Sequence, residues 1–288
     1  MNFVVSTDAA ADLDSAYIKK HDVKVISMRF TLDGTEYSFG NGESGIAMSD
    51  LFRKLEKGAI AKTQLINVHE HTVHFEKFLE KGQDVLHIPL SSGLSGTAEH
   101  AKQAAEALAQ KYKDKKVVVI DFRGASMGQG LFVDYLVNMR NDGKTLDEAT
   151  VWAQEDAMRF CHYFTVDDLK HLRRGGRISG FSSFVGSLLK IKPLLHVNND
   201  GKLIPLQKTR GRTKALDGLV EKMKELADGK PQRVFICHAE SEADARKVAN
   251  NITAKLGITD IVIGRMGPII GLHAGPGTIA LFFVGKHR

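Results

Sequence analysis

Short, unbroken apolar runs alternate with helical segments along this chain, and that alternation limits its fold more than any other feature. "NFVVSTD", "DVLHIPL", "KVVVIDF" and "RVFICHAE" have too few polar positions to leave one face in water. Strands of this kind are covered on both faces, which argues for a parallel sheet between layers of helix. The spacing predicts a strand over 3–6, a helix over about 14–21 and a second strand over 23–30. Asp33-Gly34 then closes a hairpin whose return arm is 35–39. Ser49-Asp50 is placed to cap the helix "LFRKLEKG", which Gly58 ends. Further helices are expected over 71–82, from the loop "SSGLSGT" to Tyr112, and over 127–141.

Beyond about residue 155 the character changes. "HYFTVDDLKHLRRGGRISG" and "KIKPLLHVNNDGKLIPLQKTRG" hold short strands around an Asn-Asp-Gly turn, a signature of antiparallel pairing. The helix "TKALDGLVEKMKELADG", a helix over 242–256 and the closing strand "TIALFFVGK" follow. The chain is therefore expected to be α/β with two domains. Residues 1–155 form a mainly parallel sheet with helices on both faces. Residues 156–288 form an α/β domain with a mixed, partly antiparallel sheet.

Composition removes some functions. The net charge of +6 is a mild excess, and no polybasic block is interleaved with aromatics, so a nucleic-acid groove is not expected. The longest apolar run, "IALFFVG", is far short of the ~20 residues that cross a bilayer. Cys161 and Cys237 sit in apolar, strand-like surroundings, which predicts two buried thiols rather than a disulfide. With no signal peptide before the first strand, the expected location is the cytoplasm.

Several stretches invite a chemical reading. "GNGESG" matches G-x-G-x-x-G, but it follows a hairpin arm and opens no βαβ unit, so it reads as a glycine turn rather than a dinucleotide site. "HEHTVH" (His69, His71, His74) lacks the His-Glu-x-x-His spacing and a companion Cys or carboxylate cluster. These are expected to be surface histidines, and no metal site is expected. "GLSGT" (Gly93–Thr97) misses the nucleophile elbow by one glycine. What remains is a strand-to-helix loop of hydroxyls, Ser91, Ser92, Ser95 and Thr97, at the carboxyl end of a parallel sheet. Ligands of such sheets bind there. "GPIIGLHAGPG" (Gly267–Gly277) reads as a second glycine loop cradling His273, and "LRRGGRISG" (Leu172–Gly180) as a basic one. A serine hydrolase or acyltransferase using Ser92 or Ser95 with His273 is the enzymatic alternative. A regulator that binds a sugar phosphate through Arg173, Arg174 and Arg177 is a third.

With "VVSTDAAADL", "IPLSSGLSGT", "VIDFRGASMGQG", "LRRGGRIS", "KIKPLLHVNNDGKLIPLQKTRG" and "GPIIGLHAGPG" in this order, the chain resembles the DegV family, the fatty-acid-binding subunit of bacterial fatty acid kinase. The resemblance implies two α/β domains with one long-chain fatty acid buried between them, taken up from the membrane surface. It implies no cofactor and no catalysis by this chain alone. A separate kinase, similar to dihydroxyacetone kinases, would phosphorylate the bound carboxylate. Ser92 is the implied carboxylate ligand, with Thr63 and His273 as partners and Ser91 and Ser95 nearby. Arg174, Arg177, Lys208 and Arg210 would face the kinase. Two stretches depart from the usual pattern: Asp8-Ala9 replaces Asp-Ser, and "KTQLINVHE" replaces a Thr-Ser-Gln-Pro stretch.

Elementary energetics suits a lipid carrier. Each buried methylene contributes ~0.8 kcal/mol, so a long tail supplies roughly 12 kcal/mol before ordering costs. The head group then has only to avoid the penalty of a bare buried carboxylate. Hydroxyls and a histidine suffice for that, and leave its oxygens less committed than an arginine fork would.

Overall fold

A computed structural model describes residues 3–177 and 191–288, so the last three residues of the basic glycine loop, 178–180, lie outside the described residues. The first half runs β1 (Phe3–Asp8), α1 (Ser15–Lys20), β2 (Lys24–Ile26), β3 (Met28–Leu32), β4 (Thr35–Gly40) and β5 (Glu43–Ser44). It continues with α2 (Met48–Glu56), β6 (Ala61–Thr63), α3 (Val68–Leu79), β7 (Asp84–Ile88), α4 (Thr97–Lys111), β8 (Val117–Val119), α5 (Ser126–Asn141) and α6 (Leu146–Asp156). The second half runs β9 (Phe160–Thr165), α7 (Lys170–Gly175), β10 (Ile191–Val197), β11 (Leu203–Arg210) and α8 (Arg212–Leu226). It ends with β12 (Val234–His238), α9 (Glu242–Leu256), β13 (Ile261–Arg265), α10 (Pro268–Ala274) and β14 (Ile279–Val284).

The protein is α/β, and its described residues form three sheets. A parallel sheet has the order β2-β1-β7-β8, and a small antiparallel one the order β5-β4-β3-β6. The strands of both precede residue 120. The third sheet, β11-β10-β9-β14-β12-β13, takes all its strands from residue 160 onward and is mixed, with only β12 and β13 parallel. The parallel sheet and the six-stranded mixed sheet face each other across α5, which has twelve buried residues. Strand alternation explains why. Ile279, Leu281 and Phe283 of β14 join a cluster with α8 and α9, while Ala280 and Phe282 turn to the α5 side. On the far face of the parallel sheet, α3 and α4 cover Val4 and Val85 with Phe75, Ala101 and Ala104.

Some local expectations change. The apolar run 23–30 is two strands in different sheets, broken at Ser27. Ser49 and Asp50 lie inside α2, whose N-cap, Ala47, makes no side-chain cap bond. Helix α3 starts earlier than expected because Asn67 and Glu70 form a capping box, with bonds of 2.9 and 2.8 Å. Its histidines are not all at the surface. His71 is fully buried and His74 half-buried, because both lie on the face that α3 presents to His87 and Ser6 of the sheet. "GPIIGLHAGPG" is not a loop over its whole length. It contains α10, opened by Pro268 at the first helical position and followed by Gly275. "GNGESG" is the expected tight turn, joining β4 to β5. Cys161 and Cys237 are free and buried. Burial pushes the Cys161 thiol up to about 12, and Cys237 also upward. No helix among the described residues is long and apolar enough to cross a membrane.

Candidate functional site

The hydroxyl-rich loop after β7 is fixed from behind by a buried carboxylate. Asp8, at the end of β1, accepts from the backbone N–H of Leu90 at 2.7 Å and of Ala10 at 3.1 Å, and from Gln129 Nε2 of α5 at 3.0 Å. Burial outweighs these bonds and raises its pKa to about 6. With Leu90 held, the chain winds through one turn: the N–H groups of Leu94 and Ser95 both donate to the Ser91 carbonyl, at 3.0 and 3.1 Å.

That turn sorts the serines. Ser91 is fully buried and its Oγ donates to the Gly201 carbonyl at 2.9 Å, tying the loop to the β10–β11 hairpin. Ser92 is exposed, its N–H bound to Asp121 at 3.3 Å, and it does not line the cavity described below. Ser95 does line it. Its Oγ lies 3.0 Å from Thr97 Oγ1 and accepts from the Thr97 N–H, where α4 begins.

From the other side, α10 carries His273 to the end of β6. His273 Nε2 lies 2.9 Å from Thr63 Oγ1. A Cβ on Gly175, at the end of α7, would collide with Nδ1 of the same ring, so a glycine lets that helix end pack against it. Burial, with Arg177 and Arg174 close by, pushes the imidazole down to about 4. At neutral pH it is uncharged, with one nitrogen donating and the other accepting.

Thr63, Ser95 and His273 share one cavity of about 190 Å³. Both halves of the chain supply its walls: Met28, Leu90 and Leu94 from the first, Phe164, Ile269 and Phe282 from the second. Its lining is graded. The exposed Arg177, Leu65 and Gly96 mark a mouth beside the three polar residues, whereas Ala280, Phe282 and His162 are nearly inaccessible. Strands β10 and β11 contribute Val197 and Leu203, so the hairpin that Ser91 holds is also a wall. Sequence reasoning passed over these two, and also Met266 and Ser126, since apolar strand positions and a helix start carry no ligand signature.

The basic residues divide. Arg177 lines the mouth and donates to the carbonyls of Leu94 and Gly175. Arg174 is exposed at the end of α7 beside it. Lys208 and Arg210 are exposed on β11, the edge strand of the large mixed sheet. Neither Ser92 nor Ser95 is hydrogen-bonded to His273, whose Nε2 faces Thr63 instead, so the arrangement lacks the serine–histidine link that activates a nucleophile. Among the described residues no group of three or more His, Cys, Asp or Glu is placed to hold a metal ion.

Comparison with known proteins gives the lineage. The model of a family described as "Uncharacterised protein, DegV family COG1307" matches residues 2–286. The chain belongs to the DegV family. A DegV domain-containing protein of Clostridium perfringens is 39% identical over 287 residues, covering 99% of this chain and 98% of the relative. The crystal structure of a DegV lipid binding protein from Thermotoga maritima superposes with a TM-score of 0.85 at 30% identity, covering 100% of both chains. DegV of Bacillus subtilis, described as a fatty acid binding protein, superposes with a TM-score of 0.83 at 28% identity, covering 99% of this chain and 100% of that one.

Proposed function

We propose that the protein binds one long-chain fatty acid, with the tail in the apolar cavity and the carboxylate at its mouth, and presents that carboxylate to a separate kinase. Residues 1–155 and 156–288 act as the two domains that clasp the ligand. One observation carries the reading: Thr63, Ser95 and neutral His273 converge at the open end of a cavity whose inner walls are mainly apolar, with Ser126, His162 and Thr278 the polar exceptions. The lipid and fatty acids bound by the relatives from Thermotoga and Bacillus support it.

Among the serines the geometry favours Ser95 over Ser92 as the head-group ligand, because Ser95 alone of that pair faces the cavity. Ser95 offers one hydroxyl, and the Thr63–His273 pair, which shares one hydrogen bond, offers the donor that bond leaves free, so two donors can meet the carboxylate and offset part of its desolvation. Arg174 and Arg177 flank the mouth and are placed to meet a kinase of the dihydroxyacetone-kinase type, with Lys208 and Arg210 on the neighbouring strand edge as further contacts. Loading takes place by transient contact with a membrane surface, and two buried, unpaired thiols suit the cytoplasm.

Denaturing mass spectrometry of the purified protein should release a long-chain fatty acid. Protein that carries none, and that takes up neither oleate nor palmitate, would sink the reading. Adding a dihydroxyacetone-kinase-like fatty acid kinase and ATP should yield acyl phosphate. Ester turnover by the chain alone, with labelling by a fluorophosphonate, would point to the hydrolase instead.

A further inference from the structure

A second, larger cavity adjoins the first. It has a volume of about 580 Å³ and runs between α1 and the edge strand β13. Phe39, Met127, Phe235 and Val262 contribute apolar lining, Asp12, Asp14, His21 and Arg233 contribute polar lining, and Lys20 and Arg265 are exposed beside them. Among the described residues Met266 is the one that lines both spaces. It is 1% exposed, and its N–H is anchored to the His238 carbonyl at 2.8 Å.

A polar pair links the two linings as well. Ser126 lines the first cavity, Asp12 lines the second, and the serine hydroxyl donates to the carboxyl at 2.6 Å. The other oxygen of Asp12 accepts from the Gly267 N–H at 3.0 Å. Met266 and the Ser126–Asp12 pair therefore lie where the two spaces meet, and the second space is of mixed lining, with Asp14, His21 and Arg233 beside its apolar residues. Methionine is unbranched and adaptable, so it fills such a gap closely without imposing a fixed shape.

We propose that Met266 closes the inner wall of the acyl cavity and sets the longest chain the protein accepts, the second cavity being the space that a longer alkyl tail would enter if that side chain were removed. The proposal rests on the fatty-acid reading above. An alkyl tail makes no demand for polar partners, so what limits its length is where apolar space stops. Every methylene that finds apolar cover tightens binding about fourfold, and one that meets a packed wall gains nothing.

The test is a ladder of straight-chain saturated acids from dodecanoic to tetracosanoic acid, titrated into the natural protein and into Met266→Ala. In the natural protein affinity should climb about fourfold per methylene and then stop. In Met266→Ala the limit should move up by more carbons than the deleted side-chain atoms account for, since the tail now reaches the second chamber. Val262→Trp fills that chamber from β13, so it should cancel the gain in the double variant and leave the limit of the otherwise natural chain where it was. A limit unmoved in Met266→Ala overturns the proposal, and so does a gain that Val262→Trp leaves intact. Should Met266→Ala fail to fold by circular dichroism, Met266→Val, which keeps an apolar residue there, takes its place under the same criteria. A natural protein that binds no acid of any length overturns the fatty-acid reading itself, whereas a limit that the variants do not shift overturns only the role of Met266.

Discussion

Ser92 and Ser95 stand three residues apart in one loop, and substitutions at the two should have opposite outcomes. The loop makes a single helical turn after Leu90, so Ser91 and Ser95, four residues apart, share its inner side, and Ser92 points away. Removing a hydrogen bond to a charged group costs about 1.5–3 kcal/mol. Ser95→Ala should therefore weaken fatty-acid binding by roughly tenfold to a hundredfold, and Ser92→Ala should leave it within about twofold. Displacement of a fluorescent fatty acid measures both. Equal losses at the two positions would show that the head group lies outside the turn. The sequence places all the hydroxyls of "SSGLSGT" in one loop, but which of them faces inward depends on a turn set by the distant Asp8 and is not written in the local pattern. Thr63 came from resemblance to a family, whereas the glycines around His273 marked that residue in the sequence itself. The 2.9 Å contact between them joins residues 210 positions apart, which no local pattern records.

At the scale of elements, the β10–β11 hairpin is both a wall of the cavity and a strap across the two halves. Its Asn-Asp-Gly turn announces a hairpin, and one forms. What the turn docks against was not legible, since the partner is the Ser91 loop more than a hundred residues earlier. Arg123 adds a bond to the Asn199 carbonyl at 2.7 Å, and a Cβ on Gly201 would collide with the Ser91 hydroxyl. Gly201 also has φ +74°, so Gly201→Ala combines backbone strain with a steric clash. It should lower stability by roughly 1–3 kcal/mol and speed fatty-acid release, read by urea unfolding and by transfer to vesicles. Gly82→Ala, with φ +70° and open space around it, should cost less and leave release unchanged. Matching release rates in the two variants would remove the hairpin from the exit path. Helix α10 illustrates the opposite weakness of pattern reading: four glycines in eleven residues suggested a loop, yet Pro268 and Gly275 are the start and stop signals of a short helix. The run 23–30 misled for a related reason. Continuous apolar character marks burial, but it does not say that one sheet does the burying.

Over the whole molecule, the two-faced burial of the strands was readable from composition along the chain, whereas the number of histidines placed inside it was not. His71, His74, His171 and His273 are pushed down by burial to about 4, 3, 4 and 4, and His87 and His162 also lie well below the ordinary value. For His71, burial outweighs the one contact that favours a proton, with the Thr97 backbone, and His100 nearby adds to the downward push. In the unfolded chain these rings take up protons near 6.5, and in the native state they resist. The stability they allow is complete above about 6.5 and is lost as the pH falls toward 4. Asp8 and Asp12 act in the opposite direction. Burial raises them to about 6 and 7, so the native state holds protons that the unfolded chain releases above about 4, and their contribution is lost as the pH rises through those values. Six histidines pushed down outweigh two aspartates pushed up, and the urea midpoint should fall steadily from pH 7 to about pH 4.5 with little change in m-value. Asp12→Asn preserves the neutral shape of that carboxyl and removes its opposing slope, so the acid decline should become steeper in this variant. A urea midpoint that is flat or rising toward acid would mean that water or bound ligand reaches the histidines, and that the interior between the sheets is wetter than an acyl chain requires.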